Sequence, residues 1–318
     1  MTKTTVKIIS LLKKNNWISG EDIAKELHIS RTAVWKHIQQ LRKKGYEITA
    51  KTHLGYHLDK LPESLTTEEI RDQLHTSLIG HKLYHFESMS STNDYAKKIA
   101  KKDESEGTII FADEQTGARG RKQRPWSSPK GGLWFSVILR PPIPPPEAMK
   151  VTMCAACALA KTLDKQMAVT PSIKWPNDIL INDKKVCGIL TELSAEIDTI
   201  NYLIIGIGLN VNNNLPKELE RVGTSLKKET KKTVKNLPLL VEILESLDRF
   251  YISLLNDDSE IIRKTWISYS STIGSKVSIQ TEKEKIIGKA IDLGINGELI
   301  LQTSHGEKKI ITGDITYL

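Results

Sequence analysis

Cysteine is scarce in this chain: Cys154, Cys157 and Cys187 are the only three in 318 residues. An odd, sparse set supplies no disulfide framework and fits the reducing cytosol. Cys154 and Cys157 have C-x-x-C spacing, but they lie in the apolar, alanine-rich MCAACALA, and no second ligand pair follows. That pattern favours helical core packing over metal or redox use, and no metal site is expected. Apolar runs of membrane-spanning length are missing, and the opening MTKTTVKIISLLKKNN has no signal-peptide cleavage pattern. Internal repeats and low-complexity tracts are missing too. What remains is a cytoplasmic globular protein, long enough for two or three domains.

Excess charge is also lacking over most of the chain. The formal net charge is +8, yet residues 1–60 hold twelve Lys and Arg against five Asp and Glu, a net of +7. The other 258 residues carry only +1. The basic character therefore belongs to an N-terminal module and directs that module toward a polyanion.

That module reads as three helices and a hairpin. Apolar residues at Val6, Ile8, Ile9, Leu11 and Leu12 have helical spacing. Ser19, with Asp22 three residues on, opens a second helix as an acidic capping box. A short turn at His28–Ser30 leads to a third helix, capped by Ser30 and stopped by Gly45. Two helices across so short a turn form a helix-turn-helix, and Arg31, Thr32, Lys36, Gln39, Gln40 and Lys43 offer donors suited to bases and phosphates. Two short strands around His53-Leu54-Gly55 make a β-wing. A protein-binding three-helix module with a solvated basic face is the alternative; the charge asymmetry favours DNA.

Asp59 to Thr67, with Pro62, reads as a linker. Beyond it the pattern is α+β: strands at 83–87, 108–113, 133–139, 172–178, 179–181, 186–193 and 202–211, with helices between them and a helical stretch over 237–269. The lysine-rich 227–236 reads as a solvated loop. From Thr272 short β-segments with glycine turns are enough for a small antiparallel barrel. Gly206 and Gly208, inside an apolar strand, indicate a close approach by a ligand or another backbone.

The stretch Glu114 to Ser136 carries the chemistry. Arg119, Arg121, Lys122 and Arg124 fall within six residues, with Gly117 and Gly120 among them and Trp126 close behind. Glycines let backbone N–H groups come near an anion, and arginines supply forked donors to phosphate or carboxylate. A solvated basic loop or a nonspecific nucleic-acid contact is the alternative for this loop taken alone.

Several further motifs stand in order with it: Ser91-Thr92-Asn93, Glu114-Gln115-Thr116, Arg119-Gly120-Arg121, Trp126, Lys174-Trp175-Pro176-Asn177-Asp178, Lys185 with Gly188, and Gly206-x-Gly208-x-Asn210. Together they resemble the bifunctional biotin protein ligases that also repress the biotin operon, over essentially the whole chain. The resemblance implies a winged helix-turn-helix (1–62) and a mixed-sheet ligase domain (63–270) related to class II tRNA synthetases and lipoate ligases. A C-terminal SH3-like β-barrel (271–318) completes it. It implies ATP with Mg²⁺ and biotin as substrates and no permanently bound cofactor. The product of the first step is biotinoyl-5′-AMP, which also serves as corepressor. The implied partners are the carboxyl carrier protein of acetyl-CoA carboxylase or pyruvate carboxylase, operator DNA, and a second copy of the chain when adenylate is bound.

By the same resemblance Arg121, Lys185 and Asp178 are catalytic. Ser91, Thr92, Asn93, Gln115, Arg119, Gly120, Arg121, Lys185, Gly188 and Gly206 bind biotin. Arg119, Arg121, Trp126, Asn177 and Asn210 bind ATP or adenylate. Trp126 would stack on adenine, and either Asp178 or Lys185 would assist deprotonation of the acceptor lysine. The chain departs from the family's G-R-G-R-x-G-R at two positions, where Ala118 and Gln123 replace glycine. Lipoate-type ligation and a non-catalytic metabolite-sensing regulator are the other readings. The second of these would be expected to lose Arg121 or Lys185, and both are present.

Overall fold

A computed structural model describes residues 3–43, 45–60 and 65–318. The chain divides into two compact units, Met1–Asp72 and Gln73–Leu318. The linker expected around Pro62, and with it the boundary at 62, lies outside the described residues.

In the first unit the short-range signals act as read. Helices α1 (Lys3–Lys14), α2 (Gly20–Leu27) and α3 (Arg31–Lys43) enclose a core of Ile8, Leu12, Ile23, Val34, Ile38 and Leu41. Ser19 Oγ accepts from the Asp22 backbone N–H at 3.0 Å and donates to its carboxylate at 2.7 Å, closing the capping box. Ser30 Oγ accepts from Ala33 N–H, and Gly45, at φ 86°, ends α3 in the left-handed region that glycine adopts freely. Strands β1 (Glu47–Lys51) and β2 (Gly55–Lys60) pair antiparallel as the wing, turning at His53 and Gly55. On α3, Arg31, Thr32, Lys36, Gln40 and Lys43 are exposed, and Gln39 is half-buried. Helix α4 (Thr67–Gln73) ends at the division between the units.

The second unit is built on a seven-stranded mixed sheet. Its strands are β3 (Leu83–Phe86), β4 (Ile109–Ala112), β5 (Leu133–Leu139), β6 (Pro171–Lys174), β7 (Asp178–Ile181), β8 (Lys184–Ala195) and β9 (Ile200–Leu209), in the order β3-β4-β5-β9-β8-β7-β6. Only β3 and β4 pair in parallel. Every residue of β5 is buried, as a strand covered on both faces requires.

Alternation along the strands sorts the helices. Ile138 and Ile204 pack with Ala96 and Ala100 of α5 (Thr92–Ala100). Thr191, one residue out of phase with the α5 side, meets Thr152 of α6 (Met149–Met167) at 2.6 Å on the other face. Cys154 and Cys157 are fully buried on α6, and burial pushes both thiols up. They are core residues, unsuited to thiolate chemistry.

One sequence expectation changes here. The lysine-rich segment is not simply a solvated loop. It begins as helix α7 (Leu226–Thr230), and Val234 is buried, its N–H donating to Asn212 Oδ1 at 2.9 Å. Its lysines face solvent, but Leu226 and Val234 anchor it, a feature a charge run conceals. The helical stretch that follows is two helices, α8 (Asn236–Leu255) and α9 (Ser259–Ser268).

The C-terminal β-segments form an antiparallel sheet of β10 (Lys276–Gln280), β11 (Lys285–Leu293), β12 (Leu299–Thr303), β13 (Gly306–Ile310) and β14 (Asp314–Tyr317). Its order is β13-β12-β11-β10-β14, and no ladder joins β13 to β14 among the described residues. The expected barrel is therefore open by its hydrogen bonding. Trp175 ties this sheet to the larger one: its indole N–H donates to Gly297 O and its backbone N–H to Thr272 Oγ1, both at 3.1 Å.

Candidate active site

The site is a cavity of about 670 Å³ over the α5 face of the large sheet, reached by the loops that follow β4, β6 and β9 and by the start of β14. Every residue expected to bind biotin or adenylate lines it, namely Ser91, Thr92, Asn93, Gln115, Arg119, Gly120, Arg121, Trp126, Asn177, Lys185, Gly188, Gly206 and Asn210, and so does Asp178, expected to be catalytic.

Its floor is polar and pre-organised. Ser91 caps α5, accepting from Asp94 N–H at 3.3 Å. The carboxamide oxygen of Gln115 accepts from Thr92 N–H at 2.8 Å and from its hydroxyl at 3.1 Å. Ser136 Oγ lies 2.7 Å from Thr92 Oγ1 and 2.6 Å from Asn93 Oδ1. Asn93 in turn donates to Glu192 at 2.8 Å. A small neutral ligand with urea-like or amide groups meets hydroxyls and carboxamides here whose rotamers are already fixed.

The strand glycines make room for side chains. A Cβ at Gly206 would overlap the Asn93 carboxamide, and one at Gly208 would overlap the Trp126 indole. Gly188 pairs with Gly208 and lies under Lys185 and Trp126. Trp126 thus rests against two glycines, with Lys185 Nζ 5.0 Å from its ring centroid. Its buried indole N–H has no partner among the described residues.

The cations differ sharply in what they already hold. Arg119 makes a bidentate pair with Asp94, both bonds 2.6 Å, and reaches Glu192 at 3.3 Å. Those bonds hold the Asp94 carboxyl down at about 2 and raise the Arg119 guanidinium. Arg119 therefore anchors the loop to α5. Lys122 and Arg124 turn to Asp314, at 3.1 and 2.5 Å.

Arg121 has only neutral partners: Asn177 Oδ1 at 3.4 Å, Thr312 Oγ1 at 2.9 Å and Gly313 O at 3.2 Å. Burial pushes its guanidinium pKa down, and it makes no ion pair with a carboxylate among the described residues. A half-buried cation at a cavity wall, with Asp314 and Asp178 near it but neither bonded to it, is a site for a ligand anion. Lys185 Nζ lies 2.7 Å from Asp178 Oδ1 but off the line of a good hydrogen bond, so the contact is an ion pair by proximity. Asn177 is clamped by donating to Ile189 O at 2.6 Å, and Asn210 Oδ1 accepts from Asn213 at 3.0 Å.

Of the two glycine departures, Ala118 is not among the positive-φ residues, whereas Gln123 sits at φ 58° beside Lys122 at φ 55°. The left-handed conformation is kept at position 123 without glycine, at a cost of roughly 1 kcal/mol.

Some lining residues carry no motif that identifies them. Arg221 and Val222 come from the loop after β9, which meets Lys185 through Lys185 N–H donating to Val222 O at 2.9 Å. Gly313, Asp314 and Tyr317 come from the C-terminal sheet. A lone arginine in a polar loop and an ordinary GDITY strand give no local sign of a shared wall, although the unassigned Arg221 is the signal a charge reading had available.

A helix-turn-helix unit and, later in the same chain, a mixed-sheet unit with a cation-edged cavity able to hold a neutral ring beside crowded anions define a class: ligases that carry a DNA-binding module. Comparison with known proteins specifies it. Residues 85–210 match the biotin/lipoate A/B protein ligase family, and residues 5–57 match a helix-turn-helix domain. The bifunctional ligase/repressor BirA of Bacillus subtilis is 41% identical, covering 95% of this chain and 94% of that protein. The protein of the same name from Escherichia coli is 27% identical, covering 98% and 96%. The solved biotin protein ligase from Aquifex aeolicus in complex with biotin and ATP superimposes with a TM-score of 0.66 at 29% identity, covering 75% of this chain and 99% of that one. The chain belongs to the bifunctional ligase/repressor family: one polypeptide is both a ligase and a transcriptional repressor.

Proposed function

We propose that this chain is an ATP-dependent biotin protein ligase that forms biotinoyl-5′-AMP and transfers the biotinoyl group to one lysine of a biotin carboxyl carrier protein. It also represses transcription with that adenylate as corepressor. The observation that carries the reading is Arg121, half-buried and hydrogen-bonded to neutral partners while its neighbours in the same loop are paired with carboxylates. A site that bonds its acidic residues to Arg119, Lys122, Arg124 and Lys185 but leaves Arg121 with no bonded carboxylate is arranged to receive an anion.

In the first step the biotin carboxylate attacks the α-phosphorus of Mg·ATP, forming the acyl–phosphate bond and expelling magnesium pyrophosphate. Arg121 and Lys185 would balance the charge that gathers on the phosphoryl oxygens. Thr92, Gln115 and Ser91 would hold the ureido ring, with Asn93 and Gly206 setting the depth of that floor. Trp126 would offer its face to adenine, and Asn177 and Asn210 would position phosphate or ribose. Arg119 and Gly120 would shape the loop around the acyl chain. In the second step the acceptor amine attacks the acyl carbon and AMP leaves. Asp178 is the carboxylate at the cavity wall that would take the amine proton, with Lys185 Nζ 2.7 Å from it.

Operator DNA would meet Arg31, Thr32, Lys36, Gln39, Gln40 and Lys43. A palindromic operator calls for a two-fold dimer, formed when adenylate is bound. We assign three functional segments, 1–62, 63–270 and 271–318, the last an SH3-like barrel whose fifth strand, β14, curls back beside β10. A cytoplasmic location rests on the sparse, free cysteines. No helix among the described residues is long and apolar enough to cross a membrane.

The test is incubation with labelled biotin, Mg·ATP and an acceptor carrier domain, with lipoate in a parallel arm because the matched family includes both chemistries. Label on the acceptor from biotin alone is expected. Label from lipoate alone, or from neither, would overturn the reading.

A further inference from the structure

The arginine loop is fixed at both ends. On one side Arg119 is locked to Asp94 and Glu192. On the other, Lys122 and Arg124 converge on one carboxylate oxygen of Asp314, and Arg121 reaches Thr312 and Gly313 just before it. The residues between are held in the left-handed region at Lys122 and Gln123. Non-glycine residues keep that conformation only where the surroundings impose it.

The receiving side is built into the C-terminal sheet. Asp314 opens β14 and pairs with Gln280 of β10, and a Cβ at Gly313 would run into the Ile279 side chain, so the turn presenting the carboxylate packs directly on β10. Asp314 and Gly313 also line the ligand cavity. Burial works to raise the Asp314 carboxyl, but the bonds from Lys122 and Arg124 outweigh it and keep the group ionised.

We propose that Asp314 is a positioning residue for the ligase reaction: it latches residues 118–124 across the cavity and slows escape of the acyl-adenylate. This rests on the ligase reading above. The latch also occupies Lys122 and Arg124, which leaves Arg121 as the loop's guanidinium for the ligand. The C-terminal sheet thereby contributes to catalysis through the loop, from a carboxylate that itself carries the wrong charge to bind a phosphate.

Two measurements on the full-length protein test the proposal. The first needs no ligand: the rate of limited tryptic cleavage after Arg121 in the empty protein. The second is the release rate of biotinoyl-5′-AMP from preloaded protein. Asp314→Asn is expected to speed both by about tenfold, the scale of losing charge-assisted bonds at a partly exposed site. Asp314→Glu, which keeps the charge, is expected to stay near the wild type in both. If Asp314→Asn does not fold, Lys122→Gln/Arg124→Gln removes the other half of the latch from exposed positions and is expected to act in the same direction.

Unchanged cleavage and release in either folded variant would overturn the latch. So would faster release without faster cleavage, which would place the carboxylate's effect on the ligand itself. Slower release would also overturn it, since Asp314 would then be competing with the ligand for the cations. If the wild type makes no adenylate, the ligase reading fails, and the cleavage rates still decide whether Asp314 holds the loop.

Discussion

On α3 of the head, Arg31, Lys36 and Lys43 stand exposed with no ion-pair partner among the described residues. Around the ligase cavity, Arg119, Lys122, Arg124 and Lys185 are each within ion-pair distance of a carboxylate, and Arg121 is held by neutral groups. The head offers a field of free cations, which suits a polyanion whose every repeat is charged and makes binding salt-dependent. The cavity pairs Arg119, Arg124 and Lys185 internally, so its net charge says little, and the lining cations with no bonded carboxylate among the described residues, Arg121 first among them, say where an anion goes. Counting charges identifies the partner of the first region. Pairing them identifies the ligand of the second.

The sharpest way to separate the regions is to remove one. Deletion of residues 1–62 is expected to abolish operator binding, read by fluorescence anisotropy, while biotin-dependent pyrophosphate–ATP exchange stays measurable. Complete loss of exchange in a folded deletion protein would show that the ligase depends on the head.

Within the head, Lys36→Ala is expected to weaken operator and nonspecific DNA alike and to reduce the slope of log affinity against log salt by about one. Gln39→Ala is expected to act on the operator alone, by roughly 1–3 kcal/mol, if its carboxamide reads a base. Equal slopes in Lys36→Ala and wild type would mean that this face does not lie on the phosphates.

A smaller effect concerns the Arg119 anchor. Asp94 is held at about 2, below the ordinary carboxyl value of 3.8. A depressed folded-state pKa contributes stability that is present above the unfolded value and is lost as pH falls from about 4 toward 2. The carboxylate is nearly half exposed, so the contribution is discounted to about 1 kcal/mol. Asp94→Asn is expected to cost that much at pH 7 and nothing at pH 2, measured by urea unfolding at both. An equal loss at both would assign the effect to packing.

The smallest effect separates the two glycine departures. Gln123→Gly is expected to relieve left-handed strain and stabilise the loop by roughly 0.5–1 kcal/mol. Ala118→Gly is expected to give no gain. The difference is read from the rates of tryptic cleavage after Arg121. A gain at Ala118 and none at Gln123 would place the strained residue at the other position.

What the sequence disclosed follows the range of the interactions. The Ser19 and Ser30 caps and the Gly45 stop act over three or four residues and are legible one segment at a time. The ligand-lining motifs are legible as well, because backbone turns and hydroxyls that meet a small molecule stay clustered in sequence. Arg119 is different: its partners Asp94 and Glu192 lie on an earlier helix and a later strand, so its anchoring duty appears only when the sheet is assembled. The same holds for Asp314, nearly two hundred residues beyond the loop it receives. The two strand glycines signal a close approach, but the Asn93 and Trp126 side chains that make it are fixed by tertiary contacts. The turn chemistry that pointed to a barrel specifies strands and leaves the closing pair unspecified.

The central claim is that Arg121 holds the anion the cavity is built for. Replacing it by Gln removes the charge together with the Nη2 bonds to Thr312 and Gly313, while leaving a polar, uncharged side chain in the loop. The direct measurement is dissociation of biotinoyl-5′-AMP from preloaded Arg121→Gln and wild-type protein. At stake is a charge-assisted bond of roughly 1.5–3 kcal/mol, so the account predicts release on the order of ten- to a hundredfold faster, with free adenylate acylating bystander lysines. An unchanged release rate would contradict it.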